Sequence, residues 1–143
     1  MAESTCVFCR IIKGELPAYK LYEDKDSLVI LDINPVAKGH CLIIPTQHCP
    51  SLMDADPGLI ARLIHRICHI MPALLKATNT EGFNLFQNNG HCAGQLIPHL
   101  HFHIIPRAPG DNVRFNWSPQ PADKSELEKL TGRIKQQLRS SPR

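Results

Sequence analysis

The stretch His99-Leu100-His101-Phe102-His103-Ile104-Ile105 decides how the rest of the chain is read. Polar and apolar residues alternate strictly through His103, which is the period of a β-strand with one face buried. A strand over 99–105 places His99, His101 and His103 on one face. Leu100, Phe102 and Ile104 then point the other way, into a core. Three imidazoles on one rigid, apolar-backed face point to a site rather than to a polar surface. The pattern alone leaves two chemistries open. Imidazole is a common ligand for transition metals, and it is also a nucleophile and proton carrier near neutral pH.

The residues just before this strand favour the second chemistry. Asn88–Asn89, Gly90, Gly94 and Gln95 form a loop in which glycine lets the backbone approach a ligand closely. Backbone N–H groups in such loops hold phosphate oxygens. Asn88 and Gln95 add neutral amide donors for phosphate or ribose. Imidazoles beside neutral donors and glycine suit phosphate chemistry better than a closed metal cage.

Four more strands precede the histidine strand. Residues 19–23 and 27–32 read as a hairpin turning at Asp24–Lys25–Asp26, 40–45 as a third strand stopped by Pro45, and 82–88 as a fourth. Residues 5–13 form a short apolar helix that Thr5 could cap. Between strands three and four, Leu59, Ile60, Leu63, Ile64, Ile67, Met71, Leu74 and Leu75 recur at helical spacing over Pro57 to Ala77. Asp56 before Pro57 starts this helix, and Pro72 inside it predicts a kink. A last helix spans Asp123 to Leu138, where Asp123 and Glu126 resemble a capping box. Short loops between strands favour an antiparallel sheet of five strands with a long helix and a C-terminal helix, class α+β. A single domain over 1–143 is expected, with a C-terminal loop and helix from 110 to 143.

Composition bounds the function. With 43% apolar and 20% charged residues, the chain reads as an ordinary globular domain, and a net charge of +3 is too small to argue for a nucleic-acid groove. No apolar stretch has the length of a membrane span and no secretory signal opens the chain, so no membrane and a cytoplasmic location are expected. In a reducing compartment the six cysteines read as thiols, some of them metal ligands, rather than as disulfides.

Gly94–Gln95 followed by H-x-H-x-H-I-I resembles the signature of the histidine triad superfamily. The similarity extends in order through Cys6–Cys9, the IIKGELPA stretch from Ile11, the Asp32–Ile33–Asn34–Pro35 turn and Lys38–Gly39–His40. The ending Ile105–Pro106–Arg107 looks more like the bacterial-type and dinucleoside-polyphosphate-hydrolase branches than the small phosphoramidase branch. The resemblance implies a homodimer joined sheet edge to sheet edge, and a nucleotide substrate such as a purine nucleoside phosphoramidate or a dinucleoside polyphosphate. It implies that His101 attacks the α-phosphorus to form a nucleotidyl-histidine. His103 and His40 support that step, Asn88, Gly94 and Gln95 hold phosphate, and Asp32 receives the ribose, with Ile33 and Leu42 beside the base. Several branches carry Ser or Thr directly after the Gly–Gln pair; this chain has Leu96.

Cys6 and Cys9 form C-x-x-C, which alone reads as a redox pair, two packed thiols or half a zinc site. The strand-to-helix setting of a thioredoxin-like redox pair is missing. In some branches of the family, positions matching Cys6, Cys9, His48 and His99 hold a structural zinc, making His99 a scaffold that the chemistry does not route through. Two rival readings stand beside the hydrolase: a nucleotide-binding or signalling module with negligible turnover, and a metal-binding protein that uses the three histidines. His65 and His69 read as a helix face, Trp117 as a core or interface aromatic, and the basic C-terminal helix as a solvated surface.

Overall fold

Five strands form, as the sequence predicts: β1 (Lys20–Glu23), β2 (Ser27–Leu31), β3 (Cys41–Pro45), β4 (Gly82–Gln87) and β5 (Phe102–Arg107), in a computed structural model that describes residues 3–140. The outermost residues of the expected 1–143 domain thus lie outside the described ones. Every pairing is antiparallel, in the order β1-β2-β3-β5-β4. Asp24 builds the first hairpin turn, its Oδ1 accepting from the N–H groups of Asp26 at 2.9 Å and Ser27 at 2.8 Å.

The histidine strand begins later than its sequence suggests. β5 starts at Phe102, and His99 to His101 lie outside it. β4 ends at Gln87, opposite Phe102, and β3 pairs with β5 only from Cys41↔Ile104 to Ile43↔Phe102. Beyond that point the N–H of Leu100 turns to the carbonyl of Cys49 instead, at 2.7 Å. The alternation of faces survives, because Leu100, Phe102 and Ile104 are all buried in one core cluster. At its other end β5 runs through Pro106, which pairs with Phe83 of β4. β3 no longer flanks β5 there, so no ladder bond on that side is lost to the missing N–H.

The sheet is covered on both faces. On one lies α2 (Pro57–Thr78), whose Leu59, Leu63, Ile67 and Met71 recur every four residues and are buried against Val29, Ile43, Leu100 and Ile104. Burying each such side chain stabilises by roughly 1.5–3 kcal/mol. Asp56 caps the helix by accepting from the Leu59 N–H at 2.9 Å, and Asn79 closes it in the left-handed conformation. The helix continues unbroken through Pro72. Contrary to the expectation from sequence, this 22-residue helix is long and apolar enough by composition to cross a membrane. Arg62, Arg66 and Lys76 interrupt its sequence, and its apolar stripe packs on the sheet.

On the opposite face lies α1 (Val7–Ile12), whose Phe8, Cys9 and Ile11 pack with Leu28, Ile30, Leu42 and Ile44. Its capping position is Cys6 rather than Thr5. Six residues make a helix only about 9 Å long. The rest of this sheet face, where His101 and His103 emerge, stays open.

The chain divides into two compact units at Val113/Arg114. The second contains α3 (Lys124–Ser140), capped by Asp123, whose Oδ1 accepts from the Glu126 N–H at 3.0 Å. Glu126 pairs with Lys129 rather than completing a reciprocal box. No residue of α3 is buried. Trp117 stacks on Phe115 and is 75% exposed, so it is not a core aromatic.

Candidate functional site

Hydrogen bonds fix the proton on each imidazole of the triad. His101 Nδ1 lies 2.8 Å from the carbonyl oxygen of His99. A carbonyl only accepts, so Nδ1 carries the proton and Nε2 keeps a lone pair. His40 Nδ1 accepts from the Val36 N–H at 3.3 Å, which puts the His40 proton on Nε2. That nitrogen lies 3.0 Å from His103 Nδ1 and donates to it, leaving His103 with its proton on Nε2. His99 Nε2 donates to the Pro45 carbonyl at 2.9 Å, leaving Nδ1 unprotonated.

His40, His101 and His103 line one cavity of about 630 Å³ on the open part of the sheet face. Asp32, Ile33, Leu42, Asn88 and Gly94 line it too. Asp32 Oδ1 accepts from the Asn34 N–H at 2.8 Å, which shapes the β2–β3 turn, while Oδ2 lies 3.6 Å from His40 Nε2. Gly94 has φ +84°, a conformation L side chains rarely adopt, and a Cβ there would reach 3.6 Å from the Asn88 amide nitrogen.

Electrostatics keep these imidazoles neutral near pH 7. Burial lowers the pKa of His101 below its ordinary value, against the bond to the His99 carbonyl and the charge of Asp32. His103 falls further, to about 4, through burial and then the neighbouring His101 and His40. Burial also lowers His40, opposed by Asp32. A neutral imidazole with its second nitrogen bonded to a carbonyl is the nucleophilic form.

His99 faces elsewhere. It is fully buried, and its Nδ1 meets Cys6 Sγ at 3.4 Å, Cys9 Sγ at 3.5 Å and His48 Nδ1 at 3.2 Å. Cys9 Sγ is also 3.3 Å from His48 Nδ1. The four donor atoms lie within 4.8 Å of one another. Tetrahedral zinc with Zn–S about 2.3 Å and Zn–N about 2.0–2.1 Å separates its nitrogen and sulfur ligands by about 3.3–3.6 Å. The cysteine–histidine contacts of 3.3–3.5 Å fall in that range, the ligand types are those of a structural zinc site, and the Pro45 carbonyl orients His99 as an outer partner should. These residues fit zinc. No disulfide competes for the two thiols.

The structure thus brings Asp32, His40, Asn88, Gly94, His101 and His103 to one cavity, and Cys6, Cys9, His48 and His99 to a second cluster beside it. Gln95 joins neither. Its Oε1 accepts from the Gly90 N–H at 2.8 Å and its Nε2 donates to the Pro50 and Ile97 carbonyls at 2.6 and 3.1 Å. It braces the loop rather than facing the cavity. His65 and His69 lie exposed on α2. Sequence reading missed Phe8, whose ring meets His101 edge-on with centroids 5.1 Å apart and also touches His99. The three-residue spacing of Phe8 and Ile11 on α1 was the available signal.

Residues 13–110 match the HIT domain family. A protein named adenylylsulfatase HINT3 from Arabidopsis thaliana is 50% identical over 88% of this chain, which spans 62% of that relative's length. Adenosine 5′-monophosphoramidase HNT1 from Candida albicans is 35% identical over 96% of this chain and 93% of its own. The crystal structure of a zinc-bound histidine triad family protein from Mycobacterium smegmatis superposes with a TM-score of 0.76 at 35% identity, covering 99% of this chain and 100% of that one. The sheet, the triad and these matches agree: the chain belongs to the HIT domain family.

Proposed function

We propose that this chain hydrolyses adenosine 5′-monophosphate derivatives at the α-phosphorus through a nucleotidyl-His101 intermediate. The observation that carries this reading is the bond from His101 Nδ1 to the His99 carbonyl, which leaves Nε2 as the lone-pair nitrogen of a ring lining the cavity. Nε2 forms a bond to phosphorus while the leaving group departs. Water then attacks the same phosphorus and frees the imidazole. His103, holding its proton on Nε2, donates to a phosphoryl oxygen as charge builds there. Asp32 receives the ribose hydroxyls, Asn88 and the Gly94 backbone hold phosphate, and Ile33 and Leu42 flank the base. The names of the plant and fungal relatives support an adenylyl substrate.

Zinc held by Cys6, Cys9, His48 and His99 would tie α1 to the triad; when bound it supplies a structural crosslink and no chemistry at phosphorus. The open edge of β4, where Phe83 and Leu85 are partly exposed, supports a homodimer joined sheet to sheet.

Incubating wild type and His101→Asn with adenosine 5′-phosphoramidate and adenylyl sulfate tests the hydrolase. Wild type should release nucleotide from at least one of the two, and the variant should lose the activity. Wild-type binding without product over long incubation would favour a nucleotide-binding module instead.

A further inference from the structure

One Asn–Gly pair stands in the sequence, Asn89–Gly90, in the loop that carries Asn88 and Gly94 to the cavity. Both of its residues serve the structure. Gly90 has φ +83°, which L side chains rarely adopt, so the turn needs glycine there. Asn89 Oδ1 accepts from the Leu52 N–H at 2.7 Å, which ties this loop to the segment after β3. The pair brings a chemical hazard. An asparagine amide carbon is open to attack by the backbone nitrogen that follows it. Glycine, with no Cβ, lets that nitrogen come close.

The fold treats the two reacting groups differently. Asn89 Oδ1 also accepts from Gln87 Nε2 at 3.1 Å, while Asn89 Nδ2 donates to Gln87 Oε1. Two donors on Oδ1 polarise the carbonyl and would steady the oxyanion of an attack on Cγ. The electrophile is therefore activated, and the restraint falls on the nucleophile. The Gly90 N–H donates to Gln95 Oε1 at 2.8 Å, and the Gly90 carbonyl accepts from the Gln95 N–H at 3.2 Å. Gln95 thus grips both polar groups of Gly90. It is itself anchored, since its Nε2 donates to the Pro50 and Ile97 carbonyls. Gln95 is only 8% exposed, whereas Gly90 is open to solvent. While Gln95 holds its proton, the Gly90 nitrogen neither gives that proton up readily nor turns toward Cγ.

We infer that Asn89–Gly90 is a deamidation site that Gln95 keeps latent and that becomes reactive whenever the 88–95 loop opens. The Gly90 nitrogen gives its proton to solvent, and its electron pair forms a bond to Asn89 Cγ. The Cγ–Nδ2 bond breaks. Its pair leaves on nitrogen, which takes a proton from solvent and departs as ammonia. The succinimide so formed takes up water. Breaking one ring C–N bond gives aspartate. Breaking the other gives isoaspartate, whose main chain runs through Cγ and is longer by one carbon. Either product adds a negative charge to the loop that presents Asn88 and Gly94 to the cavity. Gln95, which joins neither the cavity nor the cysteine–histidine cluster, is the guard of this bond. The chemistry does not depend on the nucleotidyl-His101 reading.

The test is a timed incubation in neutral buffer of folded wild type, guanidinium-unfolded wild type, Gln95→Ala and Gln95→Met. Peptide mass spectrometry follows conversion of each asparagine to the acid. In the unfolded chain Asn89 should convert faster than any other asparagine, none of which precedes glycine. Folded wild type should convert it ~10²-fold more slowly, the cost of holding a reacting pair out of attack geometry. Gln95→Ala and Gln95→Met lose one hydrogen bond to the Gly90 N–H and should convert Asn89 ~2–10-fold faster than folded wild type. Met keeps the bulk of the side chain, and thermal melting confirms that each variant is folded. Conversion of Asn89 in folded wild type at the unfolded rate overturns the inference, whether or not the variants fold. A folded Gln95→Met that converts Asn89 at the folded wild-type rate overturns it too.

Discussion

His40 Nε2 donates to His103 Nδ1 at 3.0 Å, and the backbone N–H of Val36 at 3.3 Å from His40 Nδ1 sets the direction of that bond. The β2–β3 turn thereby decides which nitrogen of His103 carries a proton. His40 therefore acts through His103, and the two should not contribute independently. His103→Ala should lower kcat/KM by ~10²-fold, the cost of removing one donor to a developing oxyanion. His40→Ala should lower it less, and the double variant should match His103→Ala alone. Losses that multiply in the double variant would show that His40 has a separate role.

The same burial makes the site sensitive to acid. Burial, followed by the neighbouring imidazoles, holds His103 at about 4, below its ordinary 6.5. The unfolded chain thus binds this proton at a higher pH than the folded chain does. The resulting stability is whole above the unfolded value and is lost as pH falls toward the folded one. Denaturant midpoints taken between about pH 7 and about pH 4.5 should fall, and the fall should be smaller in His103→Asn. An identical fall in the variant would mean that His103 is not held neutral in the folded protein.

The cysteine–histidine cluster predicts one zinc per chain. Metal analysis of the purified protein should find it in wild type and lose it in Cys9→Ser. Zinc binds the folded state, so it should raise stability by about 2.7 kcal/mol at about a hundred times its dissociation constant. The Tm of wild type should fall on chelation, while that of Cys9→Ser should start low and not respond. Equal melting of wild type with and without metal would remove zinc from the structure's account.

Local pattern made much of this legible. The period-2 run through His103 correctly set Leu100, Phe102 and Ile104 against α2, and the Asp56–Pro57 start of that helix stood in the sequence. What the pattern could not carry was tertiary. His99 shares the alternation of His101 and His103, yet its ring serves Cys6 and Cys9, which lie about ninety residues away along the chain. The C-x-x-C spacing offered half of a zinc site, and the resemblance to a family supplied His48 and His99. Gln95 reads as a ligand because amides bind phosphate, but three backbone groups claim it first. The carbonyls of His99 and Pro45 and the N–H of Val36, which set the histidine tautomers, belong to the backbone and leave no mark in residue identity. The start of β5 depended on where its pairing with β3 and β4 stops, so the seven-residue run by itself could not give it.

The central claim is that His101 Nε2 bonds covalently to phosphorus. Rapid acid-free quenching of wild type during turnover of adenylyl sulfate, followed by peptide mass spectrometry, reads this directly. The account predicts one nucleotidyl group on the peptide that contains His101, placed on that residue by fragmentation and missing from His101→Asn. Turnover at full rate with that peptide unmodified throughout, or with the nucleotidyl group on His103, would contradict it.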